Sequence, residues 1–387
     1  MRLTVVQAAA FPFPSPQGSQ VYVRGMARAL ARRGHRVIVA CYGFGQGEPD
    51  GDYTLLRAPA PRGYSNLRAG PDLTKPWLDL AMAAQLLRLR PRPDLIHAHN
   101  YEAPLAAWPA CRLRGIPLLY NNHNTMSEEL HRYFTRPAAR SVARAVGRGL
   151  DRSVPRLADA AVAISEQAVP ILESLGCPRV HHVPPGVDPA DLEGVDGARA
   201  RARYGLEGRP WVVYAGNPDA YQDLEVLVDA VARLEDLGLL MVSASPMDRL
   251  ERRAEALLPP ARRRFVRTAS WPEVRDLIAA ADLAALPRAV CSGYPIKLLN
   301  YLGLGRPTVC ARGSARDIAG VVEVPNHDVP AFADALAALA RDPAGRQALG
   351  ARARVDILAR FTWDAVAARL EQVYATVVRT RRGATAG

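Results

Sequence analysis

The 387 residues predict an α/β protein made of two doubly wound parallel-sheet domains in tandem. Three observations carry that expectation. Short apolar runs alternate with helical periods along nearly the whole chain, a break at Val183-Pro-Pro-Gly-Val-Asp188 interrupts the alternation near the middle, and the pattern then restarts. Strand–helix repeats of this length imply parallel strands joined by right-handed crossovers. Domains run ~50–250 residues, so this length suits two of roughly 190 residues each, both able to bury a core.

In chain order, Leu3–Gln7 reads as a buried strand and a proline-rich turn ends at Gly18-Ser19. Gln20 to Arg33 then carries Val23, Met26, Ala27 and Leu30 at helical spacing. Strands are expected at Arg36–Cys41, Asp94–His97, Pro117–Asn121 and Ala160–Ile164, with helical segments after each. The two prolines and glycine of 183–188 read as a linker. Past it, strands are expected at Trp211–Ala215, Leu239–Ser243, Arg264–Arg267 and Asp282–Leu286, with a helix from about Tyr221 to Leu234. A glycine turn at Gly293 opens a further helix from Pro295, since proline suits a first helical turn. Helical periods from Val329 and an amphipathic segment, Trp363–Val378, close the chain. The expected partition is 1–184, 189–362 and a C-terminal segment 363–387.

Hydrophobic residues make up 49% and charged residues 23%, an ordinary globular balance that argues against disorder. No run approaches the ~18–20 apolar residues of a membrane span, and Pro12, Pro14 and Pro16 come too early for a secretory signal. The expectation is a cytoplasmic protein. Its five cysteines are scattered without a C-x-x-C pair and read as reduced thiols. The net charge of +12 implies polyanionic company or only an arginine-rich proteome. No zinc-finger spacing or aromatic RNP-type motif accompanies it, which sets nucleic acid aside.

The most specific stretch is Cys291-Ser-Gly-Tyr-Pro-Ile-Lys-Leu-Leu-Asn-Tyr-Leu-Gly-Leu-Gly-Arg-Pro-Thr308. A helix opened this way aims free N–H groups and the positive end of its dipole at whatever precedes it, and a diphosphate is the usual guest. The stretch resembles the nucleotide-sugar site of retaining glycosyltransferases of family 4, which have the GT-B fold. Other matches run nearly the whole chain: Gln17-Gly18-Ser19 with Gly34-His35, Pro93-Asp-Leu-Ile-His-Ala-His99, Tyr120-Asn-Asn-His-Asn-Thr125, Ala163-Ile-Ser-Glu166 and the 183–188 break. The resemblance implies two Rossmann-like domains facing across a cleft, with a last helix crossing back to the N-terminal domain. It places donor contacts at Gly18, Ser19, Ser292, Gly293, Tyr294, Pro295, Ile296 and Asn300. His99 matches the position that hydrogen-bonds the donor sugar, and His123 and Asn124 fall on the acceptor side. His123 has an equally good structural reading.

The departures are as informative. The family's two glutamates, eight positions apart, are Ser292 and Asn300 here, and the Arg and Lys that grip the diphosphate are replaced by Asn217 or Pro218 and by Gln222. A hydrogen bond to a charged group contributes ~1.5–3 kcal/mol, so two lost cations cost roughly 3–6 kcal/mol unless replaced. Lys297, in the first turn of the motif helix, is the favoured replacement, with Arg288 the second candidate. A cation near a helix N-terminus is otherwise unfavourable, although a solvated face explains a helical lysine too.

The resemblance implies transfer with retention, resting on positioning and on stabilisation of developing phosphate charge. The donor is expected to be a nucleotide-diphosphate sugar, a uridine diphosphate sugar being favoured, and the acceptor lipid-linked or a cell-envelope polysaccharide. No metal or resident cofactor is expected, there being no His/Asp/Cys metal cluster. A catalytically silent binding or scaffold protein is the alternative. Closure of the domains about 184–188 is a further expectation. Arg136, Arg140, Arg144, Arg148, Arg152 and Arg156 recur every four residues, suiting either an anionic membrane surface, hence peripheral attachment, or a solvated face of a packed helix.

Overall fold

The computed structural model describes residues 1–15, 17–45, 50–67, 70–288, 294–314 and 318–386. The chain divides into two compact units, the first holding Met1–Gly186 and Trp363–Gly387, the second Val187–Cys291 and Pro295–Thr362.

In the first unit, seven parallel strands lie in the order β3-β2-β1-β4-β5-β6-β7. These are β1 (Thr4–Pro12), β2 (Arg36–Tyr42), β3 (Tyr53–Ala58), β4 (Leu95–His99), β5 (Leu118–Asn122), β6 (Ala160–Ala163) and β7 (Val180–His182). The strand order reverses between β1 and β4, the place where ligands of doubly wound sheets bind. Both faces are covered by helices, so the central strands are buried on both. One face, with Val6, Ala8, Ile38, Ala40, Ile96 and Ala98, belongs to a core that includes Leu78, Met82 and Leu86 of the Lys75–Arg88 helix and Ala103, Ala106 and Ala110 of the Glu102–Arg114 helix.

The opposite face is polar and still buried. Gln7 of β1 sits beside His97 of β4, and His99 beside Asn121 of β5. Tyr22 from the Gly18–Arg32 helix and Tyr374 from the Trp363–Ala386 helix reach these groups. The last helix thus packs in the first unit: the Trp363 ring crosses Tyr22 edge to face, and a Cβ at Gly25 would overlap it. Glu371 holds Arg33 and His35, and Arg381 holds Asp159 at 3.0 Å.

The second unit has six parallel strands in the order β10-β9-β8-β11-β12-β13: β8 (Trp211–Ala215), β9 (Gly238–Ser243), β10 (Arg263–Arg267), β11 (Leu283–Leu286), β12 (Thr308–Ala311) and β13 (Val321–Val324). Its switch point lies between β8 and β11. Asp188 of the linker accepts from Ala190 N at 3.2 Å and so caps a 3₁₀ turn. Strands β3, β7, β12 and β13 are additions to the sequence expectation, and the helix expected from Tyr221 instead begins at Leu224. Asp223, at φ 52°, breaks the chain between a 3₁₀ turn at Ala220–Gln222 and that helix. No helix among the described residues is long and apolar enough to cross a membrane.

Candidate active site

At the β8/β11 switch point, the chain leaves β8 through Gly216 and meets the N-terminal turn of the Ile296–Gly303 helix. Tyr301 ties the two together, its hydroxyl accepting from Ala215 N at 2.7 Å and donating to Ala215 O at 2.9 Å. One turn earlier on the same helix, Lys297 donates through Nζ to the Tyr214 hydroxyl at 2.6 Å, with Nζ 4.4 Å from the ring centre. The Tyr214 hydroxyl in turn donates to Asn217 O at 2.7 Å. Gly216 makes this possible, because a Cβ there would lie 2.5 Å from Lys297 Nζ.

Burial, and after it the nearby Arg288 guanidinium, pull the Lys297 pKa down to about 7 against the opposing attraction of Asp219. Arg288 itself is only 6% exposed, two residues past the end of β11. A half-buried ammonium, a buried guanidinium and the positive end of a helix dipole therefore share one corner of the unit. Cations and a helix N-terminus brought together are the groups from which anion sites are built. Asn300, three residues after Lys297, lies on the same side of the helix and is partly exposed. Pro295 caps the helix from outside at φ −80°, with Tyr294 before it and Ile296 opening the first turn. Ser292 and Gly293 lie outside the described residues.

Asn217 is exposed on the loop after β8, its side chain accepting weakly from Ser245. Gln222 differs from the expectation of a diphosphate contact beside it: it is 4% exposed, and its Oε1 has no hydrogen-bond partner. The left-handed turn at Asp223 carries it inward, a consequence invisible in the motif alignment.

In the first unit the polar sheet face forms one directed chain of hydrogen bonds. Asn121 Oδ1 can only accept, so His97 donates to it through Nε2 at 3.1 Å and accepts at Nδ1 from the Tyr374 hydroxyl at 2.9 Å. Gln7 Nε2 donates to that hydroxyl at 3.1 Å, while Gln7 Oε1 accepts from His99 Nε2 at 2.7 Å. His99 Nδ1 must then accept from His123 Nε2 at 3.2 Å, leaving His123 Nδ1 to accept from Ser19 at 3.3 Å. All three imidazoles carry their proton on Nε2 and stay neutral. Burial pulls the pKa values of His97 and His123 down to about 3 and that of His99 well below its ordinary value.

This corrects the reading of His99 as a direct contact to the donor sugar. It is 0% exposed and both ring nitrogens are engaged by protein groups. His99 positions His123, whose Nδ1 ends the chain beside Ser19 at the start of the Gly18–Arg32 helix. That helix has no side-chain cap, and a Cβ at Gly18 would meet nothing within 4 Å.

Ser19 and Asn124 also line a cavity of about 380 Å³ within this unit. Asn124 bonds to Glu129, and its carbonyl accepts from the Tyr101 hydroxyl at 3.0 Å. The basic series is shorter than its spacing implies. Arg140, Arg144, Arg148 and Arg152 project from the Pro137–Ser153 helix and Arg136 caps it, but Arg156 lies in the following 3₁₀ turn and donates to Leu175 O.

Residues 16–191 match the family described as Glycosyltransferase Family 4, and residues 209–342 the one described as Glycosyl transferases group 1. A D-inositol 3-phosphate glycosyltransferase of Xylanimonas cellulosilytica is 30% identical, the alignment covering 94% of this chain and 93% of that protein. Its namesake from Nocardia farcinica is 28% identical over 100% of this chain and 92% of that one. Among solved structures, sucrose-phosphate synthase from Thermosynechococcus elongatus superposes with a TM-score of 0.80 at 19% identity, covering 98% of this chain and 100% of the other. HepE of Anabaena, in complex with UDP and glucose, reaches 0.74 at 16% identity over 97% and 100% of the two chains. With two parallel-sheet units, matches to both family descriptions and a relative at 30% identity across nearly its full length, the chain belongs to the family 4, group 1 glycosyltransferases of the GT-B fold.

Proposed function

We propose that this glycosyltransferase moves a hexose-type sugar from a nucleoside diphosphate sugar, the uridine diphosphate form being favoured, with retention at the anomeric carbon. The observation that carries the reading is Lys297, held by Tyr214 at the switch point of the second unit. It replaces the missing diphosphate cations, with Arg288 as second contributor. The acceptor oxygen bonds to the anomeric carbon on the face from which the diphosphate departs, as the bond from that carbon to the diphosphate oxygen breaks and the hydroxyl proton passes to the departing phosphate, so no enzymic nucleophile is needed. Charge grows on the leaving phosphate, and Lys297 and the helix N-terminus stabilise it there. Asn300 offers an amide to the nucleotide's ribose, and Asn217 is the exposed amide on the loop after β8.

The acceptor is proposed to enter the cavity of the first unit, lined by Ser19 and Asn124 and flanked by His123. The acceptor in the relatives' name, an inositol phosphate, suggests a ring of hexose or cyclitol size. Turnover of a panel of nucleotide sugars, with UDP affinity measured by calorimetry for the parent and Lys297→Ala, tests the reading. Donor cleavage together with a tenfold to hundredfold loss of UDP affinity in the variant is expected, following the ~1.5–3 kcal/mol of a charge-assisted hydrogen bond. UDP binding without cleavage of any donor leaves a silent scaffold.

A second reading concerns location. The Pro137–Ser153 helix exposes its arginines together with Val142 at 64% and Val146 at 50%, which suits attachment to an anionic membrane surface near a lipid-linked acceptor.

A further inference from the structure

The cavity of the first unit is walled by aromatic rings, Phe44 standing edge-on to Tyr64 with centroids 5.3 Å apart. Its size lies at the lower end of the roughly 300–1,000 Å³ typical of small-molecule sites. That suits one sugar-sized ring, whose C–H faces pack on such walls. The cavity is the site, and its charge decides what enters.

Four carboxylates line it, Asp72, Asp79, Glu102 and Glu129. Among the described lining residues Lys75 is the one cation, and its Nζ is already 3.2 Å from Glu102 Oε1. Asp72 is held ionised, well below the usual carboxylate range, by Thr74 N and Asn66 Nδ2. Asp79 takes the Tyr42 hydroxyl at 2.7 Å, and burial raises its pKa to about 6, so it is mostly a carboxylate at neutral pH. Glu129 holds the Tyr133 hydroxyl at 2.6 Å and the Asn124 amide. Each acid keeps acceptor capacity beyond these bonds, because a carboxylate has about four lone-pair sites. The described lining residues therefore offer negative charge and acceptors in excess, and the one ammonium among them is occupied.

We infer that the acceptor ring entering this cavity is polyhydroxylated and bears an amine, neutral rings being taken less well and phosphorylated rings being excluded. A phosphomonoester brings close to two negative charges at neutral pH and would face the four carboxylates with, among the described lining residues, one ammonium that is already paired. An ammonium would meet Asp79 and Glu129, and its ring hydroxyls would donate to the remaining oxygens. The inference rests on the placement of the acceptor in the first unit and is independent of the Lys297 site.

Glucose, glucosamine and glucose 6-phosphate present one ring with three charges. Their binding to the full-length protein is measured by ligand-observed NMR at low and at 300 mM salt, with UDP affinity followed in parallel. Glucosamine is expected to bind at least tenfold more tightly than glucose 6-phosphate, glucose to fall between, and salt to narrow the spread. The double variant Asp79→Asn, Glu129→Gln should lose most of the preference while keeping UDP affinity. Should that variant misfold, the parent series at two salt concentrations still decides. Glucose 6-phosphate binding as tightly as glucosamine, or no sugar binding at all, overturns the inference. Either result with Lys297-dependent UDP binding intact leaves the donor reading standing, whereas charge-ordered sugar binding without UDP binding overturns the donor reading alone.

Discussion

If Lys297 holds the diphosphate as proposed, its protonation is linked to that ligand. Its pKa is drawn down to about 7, so above that pH the free protein increasingly holds a neutral amine. A bound diphosphate favours the ammonium, so binding takes up a proton and affinity falls as pH rises, approaching about tenfold per pH unit. The loss should begin near pH 7 and end where the liganded lysine itself titrates. Calorimetry of UDP binding at pH 8 in two buffers of different ionisation enthalpy should report that uptake, and Lys297→Arg should flatten the dependence because a guanidinium stays charged. Equal affinity at pH 6.5 and 8.5 would refute the assignment. The histidine chain predicts something different, since its members stay neutral over this range. Replacing His99 by Phe leaves His123 Nε2 without its acceptor. A buried donor left unsatisfied costs ~1–3 kcal/mol, so turnover should fall about fivefold to a hundredfold with UDP affinity unchanged. Nitrogen-detected NMR of the parent should find His97, His99 and His123 all as Nε2–H tautomers.

The arginine helix illustrates what spacing can and cannot tell. Its four-residue period put the basic residues on one side, and Arg140, Arg148 and Arg152 are indeed exposed. What docks the other side is Gly147, where a Cβ would sit 2.6 Å from Met126 O, and Asp151, whose carboxylate accepts from Met126 N at 2.8 Å and the Tyr101 hydroxyl at 2.6 Å. Neither residue type announces a contact across 25 or 50 residues of sequence. The same limit explains the site. Strands β8 and β11 were legible because burial on both faces makes them continuous apolar runs, and β1, β4 and β5 because each opens on a short apolar run. So was the helix after Pro295, from its turn chemistry. The burial of Gln222 was not, since it follows from a left-handed turn at a non-glycine residue, Asp223. Nor was the inward orientation of His99, because a strand-end histidine reads alike whether it faces ligand or a helix. The exposed arginines and valines predict binding to anionic vesicles at ~1 kcal/mol per basic residue near the surface. Replacing Arg140 and Arg148 by Glu, positions free of the Arg144–His131 contact, should abolish sedimentation with anionic vesicles. Equal partitioning onto neutral vesicles would sink the membrane reading.

At the scale of the molecule, the chain passes through the second unit and then returns its last helix to the first. That return supplies much of the first unit's buried surface: Trp363, Val366, Leu370, Tyr374, Val377 and Val378 are all nearly inaccessible. Burying a large apolar side chain contributes about 1.5–3 kcal/mol, so the six together match or exceed the ~5–15 kcal/mol that separates a folded domain from its unfolded chain. Removal also strips Gln7 and His97 of the Tyr374 hydroxyl, leaving buried polar groups without partners at the base of the histidine chain. A chain ending at Thr362 is therefore expected to lose the first unit while the second, with its own six-stranded core, stays folded. Limited proteolysis should then leave a resistant fragment beginning near Val187, and UDP binding should survive on it while acceptor-ring binding disappears. Gly25→Val makes the same point without truncation. Its side chain would overlap the Trp363 ring, and overpacking of this kind costs about 1–3 kcal/mol, so the melting of the first unit should drop by several degrees with that of the second unmoved. A truncated protein whose first unit keeps its near-ultraviolet dichroism and cooperative melting would show that the helix is an ornament on that unit and not part of its core.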